Sequence, residues 1–107
     1  MKIENSFGDV LKQLRCDRNL KLREASELLG IDTSTLGKLE KNSRKPNPTL
    51  LKKISKIFNI DLKELNVILQ SDLIANDALK FDGNPAEILK VAERKVEYLK
   101  NLKQLTK

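Results

Sequence analysis

Thr33, Ser34 and Lys38 stand within about one helical turn of each other, and the basic run Lys41-Asn42-Ser43-Arg44-Lys45 follows at once. Hydroxyls both donate and accept hydrogen bonds, and an ammonium donates only. With Gly37, the first three residues would give a helix an outward face that is short, polar and nearly free of bulk. A helix that enters the major groove of DNA needs such a face, although any solvated helix could share it. The basic run is charged to hold phosphate.

Helical periodicity supplies the elements that would position these groups. Phe7, Val10, Leu11 and Leu14 are spaced at i, i+3, i+4 and i+7, so a first helix over Phe7 to Arg18 has one apolar face. Ser6 is its expected N-cap, with Asp9 three residues on, and Cys16 is expected at its edge. A second helix from Leu22 to Leu29 stops at Gly30, which suits a left-handed cap. Ile31 plugs the turn and Asp32 caps a third helix, Thr33 to Lys41, whose inward residues are Leu36 and Leu39. Gly37 within it is either a tolerated weak spot or a place where a side chain would hold the helix off DNA.

After the basic run, Asn47 and Pro48 open a fourth helix with Leu50, Leu51, Ile54, Ile57 and Phe58 inward, up to a break near Asn59. A fifth begins at Asp61, buries Leu62, Leu65, Ile68 and Leu69, and can continue through Leu73 to Leu79. Asp82-Gly83 marks the clearest break in the chain. Asn84-Pro85 then starts a last helix with a stripe of Leu89, Ala92, Val96 and Leu99, flanked by Ile88, Tyr98 and Leu102. The expected class is all-α, with residues 1–69 as one domain and 70–107 as a helical extension.

Composition limits the partners. The 107 residues carry a net charge of +6, which favours a polyanion. Residues 1–69 hold 14 Lys and Arg against 9 Asp and Glu, whereas residues 70–107 hold 7 against 6, so the excess lies in the first part. One cysteine and no histidine leave no internal disulfide, no thiolate or imidazole zinc site, and no His-based triad. No paired carboxylates or phosphate-cradling glycine loop point to an enzyme, and no cofactor or metal is expected. Without a spanning apolar run or a signal-peptide core, the reading is a cytoplasmic protein with no membrane partner.

Taken in order and spacing, Phe7-Gly8, Leu11, Leu14-Arg15, Leu29-Gly30-Ile31, Leu36, Leu39-Glu40, Pro46 and Leu50 to Ile60 resemble the Cro/repressor-type (XRE-like) helix-turn-helix family of small bacterial and phage regulators. The resemblance covers about Phe7 to Leu69. It implies a five-helix bundle, here with an additional C-terminal helix, that binds double-stranded DNA as a homodimer on a pseudo-palindromic operator. It places Thr33, Ser34 and Lys38 at base edges, and Lys41, Asn42, Ser43, Arg44 and Lys45 along the phosphates. Arg15 and Glu40 match a charged pair that the family uses inside its fold, a structural role rather than a catalytic one.

Two positions depart from the family pattern. Leu22 stands where a glutamine often bonds phosphate, so that grip would pass to backbone N–H groups or to Lys21 and Arg23. Ser26 stands where alanine is usual, and it can bond back to a carbonyl. The last helix, through Leu89, Ala92, Val96, Leu99 and Leu102, is expected to pair with a second copy of the chain. Alternatives are packing on its own bundle or holding a different protein, as in an antitoxin that binds a toxin and its own promoter. A protein-binding adaptor without sequence readout is a further reading.

Overall fold

Four of the helices in this chain end in the same way, and only one of them needs a glycine to do it. The computed structural model describes residues 5–105, so the outermost residues of both expected segments lie outside it. It contains α1 (Phe7–Asp17), α2 (Leu22–Leu29), α3 (Thr33–Glu40), α4 (Pro48–Phe58), α5 (Leu62–Leu79) and α6 (Pro85–Leu105), with no strand among the described residues. At Gly30 (φ 71°) the chain turns left-handed, the Gly30 N–H donates to the Glu27 carbonyl and the Ile31 N–H to the Ser26 carbonyl. That pair of bonds satisfies carbonyls a helix end leaves open. Asn19, Asn42 and Asn59 adopt the same left-handed backbone. Behind them, Leu20, Ser43 and Ile60 donate five residues back, to Arg15, Lys38 and Ser55. Asparagine tolerates this conformation better than other side-chain-bearing residues, so three of the four stops carry no glycine signal.

Helix starts are capped by short polar side chains. Ser6, Asp32 and Asn47 accept the N–H of Asp9, Thr35 and Leu50, three residues on in each case. Asp61 plays a related part before α5, where its carboxylate accepts from Lys63 and its carbonyl from Leu65. Each cap of this kind stabilises a helix by about 1 kcal/mol.

One compact unit runs through Asp72 and a second begins at Leu73, so α5 supplies residues to both. The first unit holds the clustered core, built from Phe7, Val10 and Leu11 of α1, Ala25 and Leu29 of α2, Leu36 and Leu39 of α3, and the inward residues of α4 and α5. α3 packs against both α1 and α2, and α2 also packs against α4. Leu36 and Leu39 are therefore fixed on the inner side of α3, which leaves its other face to solvent. The second unit holds α6, none of whose described residues is buried.

Candidate nucleic-acid interface

The outward face of α3 is set at both ends. At its start the Asp32 carboxylate accepts the Thr35 N–H and hydroxyl, and these bonds hold its pKa below the ordinary carboxylate value, helped by the charges of Arg44 and Lys38. At its end Glu40 accepts two bonds from the Arg15 guanidinium, Nε to Oε2 at 2.8 Å and Nη2 to Oε1 at 3.1 Å. Arg15 Nη1 also reaches the Leu20 carbonyl at 2.8 Å. Both side chains of the pair are largely buried, and the carboxylate keeps the guanidinium charged by raising its pKa further. This arrangement joins the turn after α1 to the last residue of α3, with three charge-assisted bonds of good length.

Between those ends Thr33, Ser34 and Lys38 are exposed, while Gly37 is half-buried. A Cβ added at Gly37 would meet nothing within 4 Å. Thr33 Oγ1 lies 3.3 Å from Ser26 Oγ on α2, and Ser26 donates to the Arg23 carbonyl at 2.8 Å. The back-bond expected at Ser26 is thus present, and the same hydroxyl lies against the first residue of α3.

The loop after α3 divides into two kinds of residue. Lys41, Arg44 and Lys45 are exposed, and none of them forms an ion pair within 4.0 Å among the described residues. Asn42 and Ser43, expected along the phosphates, are engaged in the fold. Asn42 Oδ1 accepts the Gly8 N–H at 2.8 Å and its Nδ2 donates to Ser6 Oγ at 2.9 Å. The Ser43 N–H and hydroxyl both go to the Lys38 carbonyl, so in this geometry Ser43 has no proton left for a phosphate. On α2, Lys21 and Arg23 are exposed at the helix start. The Lys21 N–H donates to Glu24, and Arg23 lies 3.6 Å from Glu27 across one turn. Leu22 packs partly against the core instead.

Three features of the site were not visible in the residues taken alone. Asn42 closes α3 and caps α1 at once, across 34 residues of sequence. Asp72 accepts the Phe7 N–H at 2.7 Å, so α5 also caps α1. The Ser26–Thr33 contact joins two hydroxyls on successive helices, 3.3 Å apart across the turn. Cys16 is exposed, and no described helix is long and apolar enough to cross a membrane.

A short helix, a left-handed turn and a second helix with a polar outer face define a helix-turn-helix unit. The sequence profile of the helix-turn-helix family matches residues 11–65. The chain belongs to that family, in its Cro/repressor-type (XRE-like) branch. No curated protein sequence gives a significant match. Among solved structures, the clp gene regulator ClgR from Corynebacterium glutamicum is similar in fold, with a TM-score of 0.54 and 17% identity. That match covers 89% of this chain and 95% of the other.

Proposed function

We propose that this protein is a regulator of transcription that reads double-stranded DNA by laying α3 in the major groove, and that it acts as a repressor. The observation that carries this reading is the division of α3 into two faces. Leu36 and Leu39 are fully buried, whereas Thr33, Ser34 and Lys38 project from the same two turns into solvent. Hydroxyls at the start of such a helix and an ammonium one turn further on suit base edges, the ammonium choosing guanine O6 or N7. Lys41, Arg44 and Lys45 supply phosphate contacts beyond its end, with Lys21 and Arg23 at the start of α2 as a second group. Asn42 keeps one amide proton for such a contact, and its main role is the fold.

The regulator is proposed to act as a homodimer through α6, with Leu89, Ala92, Val96, Leu99 and Leu102 facing the same stripe in a second copy. Support comes from the exposure of that stripe in the single chain, where Val96 and Leu99 keep 54% and 56% of their surface open. Burying apolar area of this size against a partner is favourable by about 25 cal/mol per Å².

Selection of bound duplexes from a randomised pool at physiological salt tests the reading. The expected product is a two-fold symmetric site, with half-sites about one helical turn apart. A pool that stays random would remove sequence-specific DNA binding as the function.

A further inference from the structure

Ser26 is 3% exposed and is the one polar residue in the buried class among the described residues. Its hydroxyl has a single proton. The Arg23 carbonyl oxygen, 2.8 Å away, can only accept, so the proton is committed there. Thr33 Oγ1 lies 3.3 Å from the same Ser26 oxygen. With the Ser26 proton spent, the proton between the two hydroxyls has to come from Thr33. Thr33 makes no other side-chain hydrogen bond within the described residues. Its proton therefore points into the protein, and only lone pairs face outward from the first residue of α3.

We propose that Ser26 sets the hydrogen-bond polarity of Thr33, so that Thr33 meets DNA as an acceptor and selects a base with an exocyclic amino group. This rests on the reading that α3 enters the major groove. There, cytosine N4 and adenine N6 are the donors, while guanine O6 and N7 and thymine O4 accept. Phosphate oxygens accept as well, so a hydroxyl turned this way suits a base rather than the backbone. The neighbouring Asp32 carboxylate is exposed and ionised, and it adds a second acceptor at the same helix start. The 3.3 Å separation is longer than an ordinary hydroxyl pair, which makes the preference a bias and not an exclusion. Ser26 is a positioning residue in this account, and Thr33 is the one that touches the base.

The test is the same randomised-duplex selection, run with the full chain and with Thr33→Val and Ser26→Ala, beside a thermal melt of each. Thr33→Val is solvent-exposed and should fold; the base position whose preference it changes is the one Thr33 reads. Each base pair carries one amino donor in the major groove, so the wild-type chain should prefer there the orientation of the pair that turns cytosine N4 or adenine N6 toward Thr33. In Ser26→Ala the Thr33 proton is released and the hydroxyl can donate, so that preference should fall about 3- to 10-fold, the size of one modest hydrogen bond. Preferences elsewhere and the melting temperature should stay close to wild type. Two results would overturn the proposal: no position altered by Thr33→Val, or a Ser26→Ala profile identical to wild type. If the wild-type pool does not enrich at all, the failure lies with the groove reading itself and shows as such before any variant is compared.

Discussion

The main-chain N–H of Gly8 donates to the Asn42 side-chain oxygen over 2.8 Å, and this bond ties the first turn of α1 to the residue that closes α3. The approach leaves no room for a side chain. A Cβ at Gly8 would lie 2.7 Å from that oxygen and would collide with the Glu40 carbonyl. Together with the Arg15–Glu40 pair, it anchors the far end of α3 to α1 at two points. The outer face of α3 is left to solvent, where the candidate base contacts Thr33, Ser34 and Lys38 stand.

Gly8→Ala follows directly. The carbonyl it would strike belongs to a helix backbone and cannot swing aside, so the helices must separate. Overpacking of this kind costs about 1–3 kcal/mol, and the loss of the Asn42 bond adds to it. Urea denaturation should show a lower midpoint. A midpoint equal to wild type would mean that the α1–α3 contact is looser than described.

Asn42 and Asn59 share the left-handed backbone, at φ 62° and 52°, but not the same duties. Glycine removes the Cβ penalty at either place. At Asn42 it also deletes the cap of Gly8 and the bond to Ser6, a loss of about 1 kcal/mol or more. Asn59→Gly should leave the melting temperature near wild type or slightly above it, and Asn42→Gly should lower it. Equal shifts in the two variants would contradict the capping role of the Asn42 amide.

Much of this was legible in the sequence, for a definite reason. The apolar spacing of Phe7, Val10 and Leu11 and of Leu36 and Leu39 is a local signal, and burial follows it residue by residue. Ser6, Asp32 and Asn47 act within three residues of themselves, so their caps could be read directly. Asn42 and Asp72 act across 34 and 65 residues. Nothing in a linear pattern distinguishes an asparagine that caps a distant helix from one set to meet a phosphate. The phosphate reading for Asn42 and Ser43 follows the basic loop they stand in, and it gives no sign of the bonds they make in the fold, Asn42 to Gly8 and Ser6 and Ser43 to Lys38.

Glu40→Ala strands the Arg15 guanidinium, which is 12% exposed and would keep only its bond to Leu20. Removing one partner of a buried pair costs about 3–5 kcal/mol, mostly from the charge left behind. Replacing both, as Arg15→Met with Glu40→Leu, should recover a large part of that loss. If Glu40→Ala instead kept its melting temperature and lost only DNA binding, the pair would have to be reassigned to the interface.

Asp32 gives the site a pH dependence whose sign is fixed. Its folded-state pKa lies below the unfolded one because the Thr35 N–H and hydroxyl bind the carboxylate, with Arg44 and Lys38 adding attraction. The stabilisation is therefore present above the unfolded pKa and is lost as pH falls through the depressed folded value. Asp32→Asn retains a good cap but does not titrate. Melting curves from neutral pH down to the acid range should fall less steeply for the variant than for wild type. Parallel curves would show that Asp32 is not held in the ionised form by α3.

Gly37 separates the demands of the fold from those of the interface. In mid-helix, glycine is less favourable than alanine by about 1 kcal/mol. A methyl group there would touch nothing within 4 Å, so no contact inside the protein requires glycine. Gly37→Ala should therefore raise the melting temperature, by about 4–8 °C for a domain of this size. On the proposed interface the bare backbone between Ser34 and Lys38 lets α3 sit deep in the groove, and a methyl group would lift it. Affinity for the selected operator should then fall about tenfold, even as stability rises. Measured by titration of labelled duplex beside the melt, opposite movements of the two quantities are the signature. A variant that gains stability and binds unchanged would make Gly37 a weak spot of the helix and move the close approach elsewhere.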